Sequence, residues 1–311
     1  MNYSKQYINK LGEETNFINS NLEKVVRLLD VLEFIFNKST FSGEVILKGG
    51  TAINLIYTNL KRLSVDIDLD YQGSLEREKV LQDKEIIANE LDEYMIGEGY
   101  NVSSKSRGSV ALFSRMYQYR NAFGNIDYIK IEINFMDRIS IYPTVLDTIK
   151  RFGKSISIRT PLREELYGMK ICALIDRSKP RDLYDVDFLF NNSATIDAEK
   201  LRKSIIFYLS LDGIFKIDDT SYIGIESITQ SDVKKELQPV LQKGEKIDLD
   251  ESITFVVNRL KELLQLSKDE KLYLSEFSNG NYNPSLLFNS RFAERVNMHP
   301  MVKWRLMNIK R

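Results

Sequence analysis

The chain has 311 residues, 43% of them hydrophobic and 28% charged, and its formal net charge is zero. That length holds one large domain or two ordinary ones, and the balance is that of a soluble globular protein. A single cysteine (Cys172) excludes an intramolecular disulfide, a single histidine (His299) excludes a Cys/His zinc cluster, and no apolar run approaches the ~20 residues that span a bilayer.

Met1-Asn2-Tyr3-Ser4-Lys5-Gln6 opens polar and lacks the apolar core of a signal peptide, so a cytoplasmic protein without a membrane partner is expected. Leu22 to Asn37 reads as an amphipathic helix with Leu22, Val25, Val26, Leu29, Leu32 and Ile35 on one stripe. Val45-Ile46-Leu47 then reads as a strand feeding Gly49-Gly50-Thr51, with a helix leaving at Ala52. A glycine pair at such a turn lets the backbone approach a ligand, and the helix N-terminus offers free N–H groups to an anion.

Asp66 follows Thr51 by fifteen residues and opens Asp66-Ile67-Asp68-Leu69-Asp70. On a strand these carboxylates share one face. Asp66 and Asp68 together suit a hard divalent cation such as Mg²⁺ or Mn²⁺, which keeps substrate phosphates and water as its other ligands. The same alternation also describes a half-exposed strand with solvated charges. By strand rise Asp70 lies ~13 Å from Asp66, too far to join that ion.

A charged helix is expected near 75–97, and strands at 109–120 and 126–136. In the latter, Ile129, Ile131 and Ile133 alternate with Lys130, Glu132 and Asn134. Glu132, on a strand expected beside the aspartates, could share the ion or assist an attacking hydroxyl; it reads equally as a charge partner for Lys130 or Arg62.

Thr160-Pro161 predicts a helix start with Thr160 as N-cap, and the helix to about Arg177 is expected to bury Leu162, Leu166, Met169 and Cys172/Ala173. Lys170 and Arg177, two turns apart, project from one side of it. Lys170 could meet triphosphate oxygens or simply lie along the surface. A second helix is expected from Arg181. In it Asp182 could cap the helix, and Asp185 could pair with Arg181 or Arg177. The remainder reads as mostly helical, with stripes at 237–241 and 253–266. This predicts an α+β protein, with an α/β part over 1–155 and a helical part over 156–311.

Charge is unevenly spread. Residues 61–100 carry eleven acidic and five basic side chains, residues 151–181 carry eight basic and three acidic, and the last 21 residues carry six basic groups against Glu294. Such local fields can steer a phosphate-rich partner even on a neutral protein. Trp304 and Tyr282 are candidate stacking surfaces, with Trp304 equally readable as core.

The glycine turn followed by paired aspartates resembles the signature of the polymerase-β-like nucleotidyltransferases. The whole array resembles the AbiEii family of nucleotidyltransferase toxins, of type IV toxin–antitoxin and abortive-infection (phage defence) systems, related to the MenT toxins. The matching stretches are Lys48-Gly49-Gly50-Thr51-Ala52, Arg62 to Asp68, Lys130 to Asn134, and Lys170 through Arg177 and Arg181-Asp182 to Asp185. The resemblance implies a polymerase-β-like N-terminal domain with a mixed sheet, completed by a helical C-terminal domain. It implies catalytic roles for Asp66, Asp68, Glu132, Lys170 and Asp185, and metal ligation by Asp66 and Asp68. It also implies nucleotide binding by Gly49, Gly50, Thr51, Ser64, Lys170, Arg181 and Asp182. The implied substrates are an NTP and an RNA acceptor, most specifically the 3′ end of tRNA, with translation blocked as a result. The implied partner is a cognate AbiEi-like antitoxin acting without a stable complex. Modification of a protein or small molecule, or nucleotide binding without catalysis, are the rival readings.

Overall fold

In the computed structural model, residues 2–192 and 195–309 are described. Backbone contacts divide the chain into two units. The first runs up to Arg138 and includes Thr144–Thr160 and Gln238–Glu245; the second comprises Ile139–Pro143, Pro161–Leu237 and the chain from Lys246 onward. Residue 155, the expected boundary, falls inside a strand of the first unit.

The first unit begins with α1 (Lys5–Thr15) and α2 (Asn19–Asn37). The expected stripe of α2 is its buried face: Leu22, Val25, Val26, Leu29, Leu32 and Ile35 are at most 2% exposed. Next come β1 (Val45–Lys48), α3 (Gly49–Ala52) with a π-turn at Ile53–Tyr57, β2 (Asp66–Tyr71) and α4 (Arg77–Gly97). The helix therefore begins on the glycines themselves rather than at Ala52. Short strands β3 (Asn101–Val102) and β4 (Arg107–Gly108) precede the long hairpin of β5 (Leu112–Arg120) and β6 (Ile126–Asn134).

These strands form one sheet in the order β1-β2-β6-β5-β3, with β4 also on β5. The sheet is mixed, because β2 and β6 run parallel while β1–β2 and β5–β6 are antiparallel. Ile67, Leu69, Ile129, Ile131 and Ile133 line its buried side. Period-2 alternation then places Asp66, Asp68, Lys130, Glu132 and Asn134 on the opposite side. Glu23 of α2 is fully buried; its carboxylate accepts from Arg27 and from the Ala122 backbone N–H, tying α2 to the β5–β6 turn.

A separate hairpin, β7 (Val145–Arg151) and β8 (Lys154–Thr160), closes over Phe152 and Gly153, both with positive φ (48° and 77°). Two left-handed residues match the right-handed twist of a hairpin. Thr160 is thus the last strand residue and not an N-cap: its hydroxyl donates to the Leu47 carbonyl at 2.9 Å. The next helix starts at Arg163, with Leu162 before it and no side-chain cap.

In the second unit, α5 (Arg163–Arg177) packs against α6 (Pro180–Asn191) and α7 (Ala198–Asp212). Covered by two helices, α5 buries more than one stripe. Leu166, Tyr167, Lys170, Ile171, Cys172, Leu174 and Ile175 are buried, whereas Leu162, Met169 and Ala173 are only partly so. Gly168 permits the close approach, since a Cβ there would lie 2.6 Å from that of Ser204. Ser178, with φ 49°, ends α5, and Pro180 opens α6 at a position where its missing N–H is harmless. Further helices span Leu249–Leu263, Lys268–Ser278, Ser290–Asn297 and Pro300–Ile309.

The expected helical stripe at 237–241 is not a continuous helix. A π-turn at Val233–Leu237 passes into a 3₁₀ turn at Gln238–Val240, because Pro239 cannot continue an α-helical ladder. Gln238–Glu245 belongs to the first unit, where Leu63 N–H donates to the Val240 carbonyl.

Candidate functional site

The glycine turn is built to touch the aspartate strand. Gly49 has φ 70°, and a Cβ there would lie 2.6 Å from Asp68 Oδ2. A Cβ on Gly50 would meet an Arg62 guanidinium nitrogen at 2.8 Å and Ser64 Oγ at 3.1 Å. Thr51 is fully buried; its hydroxyl donates to the Asp66 carbonyl and lies 3.0 Å from Ser64 Oγ. Gly49, Gly50, Thr51, Ser64, Asp66 and Asp68, all singled out from sequence, therefore meet in one place.

The sheet sets the neighbours of these aspartates. Parallel pairing aligns Asp66 with Lys130 and Asp68 with Glu132, while antiparallel pairing aligns Asp68 with Lys48. Glu132 is beside the aspartates as expected, and it is also the ion-pair partner of Lys130. Its Oε2 accepts from Lys130 Nζ at 2.6 Å and its Oε1 from Ser114 Oγ at 2.9 Å. Burial alone would depress the Lys130 ammonium, but Glu132, Asp66 and Asp68 outweigh it and raise its pKa. Ser114 carried no sequence signal; only the β5–β6 register, which sets it opposite Glu132, reveals it.

Asp70, the third alternating carboxylate, does something else. It is 1% exposed and forms an ion pair with Lys48 at 2.5 Å, and Asp137 lies 3.8 Å from the same ammonium. Burial pushes Asp70 up to about 7 against the pull of Lys48.

Among the described residues no group of three or more His, Cys, Asp or Glu side chains is arranged to hold a metal ion. Asp66 and Asp68 are partly exposed on one strand face, whereas Asp70 is buried against Lys48. Hard oxygen donors in that number fit Mg²⁺, which takes one or two protein carboxylates and completes its shell with phosphate and water.

The second unit carries its own charged cluster, on α5 and α6. Lys170 Nζ lies 2.8 Å from Asp182 Oδ1 and 3.1 Å from Asp185 Oδ2. Arg177 donates to both oxygens of Asp182, at 2.7 and 3.1 Å. Two turns of α5 bring Lys170 and Arg177 to one carboxylate, and the i,i+3 spacing on α6 brings both aspartates to one ammonium. Lys170 is therefore a buried, paired cation and not a surface lysine, and Asp185 pairs with it. Burial opposes ionisation of Asp182, but Lys170 and Arg177 prevail and hold it at about 2. Arg181, in the first turn of α6, is partly buried, and its side chain makes no ion pair or hydrogen bond among the described residues.

The proposed stacking residues separate. Tyr282 packs into an aromatic cluster with Phe277 (4.9 Å between centroids) and Tyr273 (6.1 Å), whereas Trp304 is 44% exposed beside Arg305. Lys310 and Arg311 of the basic tail lie outside the described residues. His299 is buried, its Nδ1 accepting from the Met301 N–H, and Cys172 is a buried thiol. No helix among the described residues is long and apolar enough to cross a membrane.

A family model described as "Nucleotidyl transferase AbiEii toxin, Type IV TA system" matches residues 30–259. Among solved structures, MenT4, a nucleotidyltransferase toxin from Mycobacterium tuberculosis H37Rv, has a similar fold. The match has a TM-score of 0.66 and covers 99% of each chain at 16% identity. At that identity the likeness bears on fold, and the expected α+β architecture, a mixed sheet followed by a helical C-terminal part, is borne out. A sequence search of curated proteins finds no match.

Proposed function

Because the chain belongs to the AbiEii family of nucleotidyltransferase toxins of type IV toxin–antitoxin systems, we propose that it transfers a nucleotide from an NTP to the 3′-hydroxyl of an RNA, specifically tRNA, and so blocks translation. The observation that carries this reading is the glycine turn set against Asp68, where any side chain on Gly49 would occupy the carboxylate's place. A turn free of side chains and that close to two partly exposed carboxylates suits a ligand carrying both phosphates and a divalent ion.

Asp66 and Asp68 would hold Mg²⁺ or Mn²⁺, which when bound neutralises charge on the triphosphate. Gly49, Gly50, Thr51 and Ser64 line the phosphates, with backbone N–H groups at the start of α3 donating to their oxygens. The acceptor oxygen attacks the α-phosphorus, the bond to the β-phosphate breaks, and pyrophosphate leaves. Glu132 orients the attacking hydroxyl or takes its proton. Lys170 and Arg181, on the second unit, are the cations that the family resemblance assigns to the nucleotide, and Asp182 and Asp185 hold the lysine in place. The basic 151–181 segment and the C-terminal helix are the RNA-holding surfaces in this reading, with Trp304 rather than Tyr282 available for stacking. A cognate AbiEi-like antitoxin would counteract the toxin without a stable complex.

The test is to incubate the protein with Mg²⁺, each α-labelled NTP and total tRNA, in the cytoplasm-like reducing conditions the single cysteine allows. Label on the RNA 3′ end with release of pyrophosphate is expected. Label on a protein or small molecule instead would reassign the acceptor, and failure of every NTP to label any acceptor would sink the transferase reading.

A further inference from the structure

The Lys130–Glu132 pair bears on how many metal ions the site holds. Two-ion sites place their ions ~3.5–4 Å apart and need carboxylates that serve both. Beside Asp66 and Asp68, Glu132 has both oxygens engaged, one by Ser114 and one by the Lys130 ammonium. Register places Lys130 directly beside Asp66 and Glu132 beside Asp68, so the ammonium belongs to the same charged face as the aspartates.

Resting on the transferase reading above, we propose that Lys130 is a tethered substitute for a second divalent cation, so that Asp66 and Asp68 hold a single ion. A lysine in that role is permanently present and limits the site to one recruited ion. The charges agree: Asp66, Asp68 and Glu132 with Lys130 and one divalent ion sum to zero, and the Asp70–Lys48 ion pair beside them adds nothing. A two-ion arrangement with Lys130 still in place would make the same face strongly positive before any phosphate arrived. Lys130 acts through Glu132 and the ion, as a positioning residue.

The pair is poorly accounted for by stability. The Lys130 side chain is 38% exposed, and ion pairs of that exposure contribute under about 1 kcal/mol. Lys130→Met, which keeps length and removes charge, is therefore expected to fold normally, and its thermal unfolding can verify this.

The experiment counts Mn²⁺ bound per chain by equilibrium dialysis with an α,β-methylene NTP, and uses electron paramagnetic resonance to detect a spin-coupled ion pair. Wild type and Lys130→Arg are expected to bind one ion with no coupled signal. Lys130→Met is expected to bind two with a coupled signal, and adding Glu132→Gln to it should return the count to one. Two ions in the wild type would overturn the proposal while leaving the transferase reading intact. An unchanged count in Lys130→Met would overturn it too. No ion in any variant would remove the metal site and the proposal together.

Discussion

The aspartates of β2 and the aspartates of α6 are the same side chain put to opposite uses. Asp66 and Asp68 stand partly exposed on a sheet face, next to a turn stripped of side chains, whereas Asp182 and Asp185 are each 1% exposed and closed around Lys170. The first pair keeps oxygens where a ligand can reach them. The second gives its oxygens to a lysine and an arginine, and what it holds in place is the cation. Substitutions in the first cluster should therefore damage chemistry more than folding, and substitutions in the second should damage folding as well.

The largest effect is expected at Asp68. Asp68→Asn removes half of the charge that holds the ion, and transfer should fall by ~10³-fold or more, about 4 kcal/mol of transition-state stabilisation. Thermal unfolding should change little by comparison. Full transfer by this variant, measured as label incorporated per minute, would show that the sheet face is not the metal site.

Lys170→Met tests the opposite cluster. Removing one partner of a buried charge group leaves carboxylates without compensation, and the expected loss of stability is ~3–5 kcal/mol. Denaturant unfolding measures this directly. A loss as small as that of Lys130→Met would erase the distinction between the two clusters. Asp182 extends the comparison to pH. Its folded value of about 2 lies below the ordinary 3.8, so its contribution is present above about pH 4 and is lost as pH falls towards 2. With ~1.4 kcal/mol per pH unit, about 2 kcal/mol is at stake. Amide protection in α5 and α6, taken relative to the intrinsic exchange rate at each pH, should fall over that interval in the wild type and fall less in Asp182→Asn.

Much of this contrast was legible beforehand, and the parts that were not share a cause. Period-2 alternation placed Ile129, Ile131 and Ile133 inside and Glu132 outside, and the seven-residue spacing placed Lys170 and Arg177 on one side of a helix, while the closure of Asp182 and Asp185 on Lys170 depends on how α6 packs against α5. Local periodicity sufficed within each element, not between elements. The β7–β8 hairpin escaped because its turn uses Phe152 in a left-handed conformation, where the usual cue is Asn or Asp before Gly. Thr160-Pro161 looked like a helix start because the bond that decides otherwise is to Leu47, more than a hundred residues away. The clamp of Ser114 on Glu132 depends on cross-strand register, which no local pattern carries.

The finest distinction lies within the glycine pair. Gly49→Ala meets two obstacles, a left-handed φ and a carboxylate 2.6 Å from the new Cβ, and neither can move without disturbing Asp68. A non-glycine residue strained in this way costs ~1–3 kcal/mol, and transfer should fall along with stability. Gly50→Ala meets only side-chain ends, the Arg62 guanidinium and the Ser64 hydroxyl. A few tenths of an ångström of side-chain movement relieves it, so its cost in stability should stay below about 1 kcal/mol. Its effect should instead appear as a raised KM for the NTP, because the shifted Ser64 is assigned to the phosphates. Equal losses in the two variants would mean that the turn is a backbone requirement alone. Unequal losses, with KM moving more than kcat in Gly50→Ala, would tie the second glycine to the nucleotide.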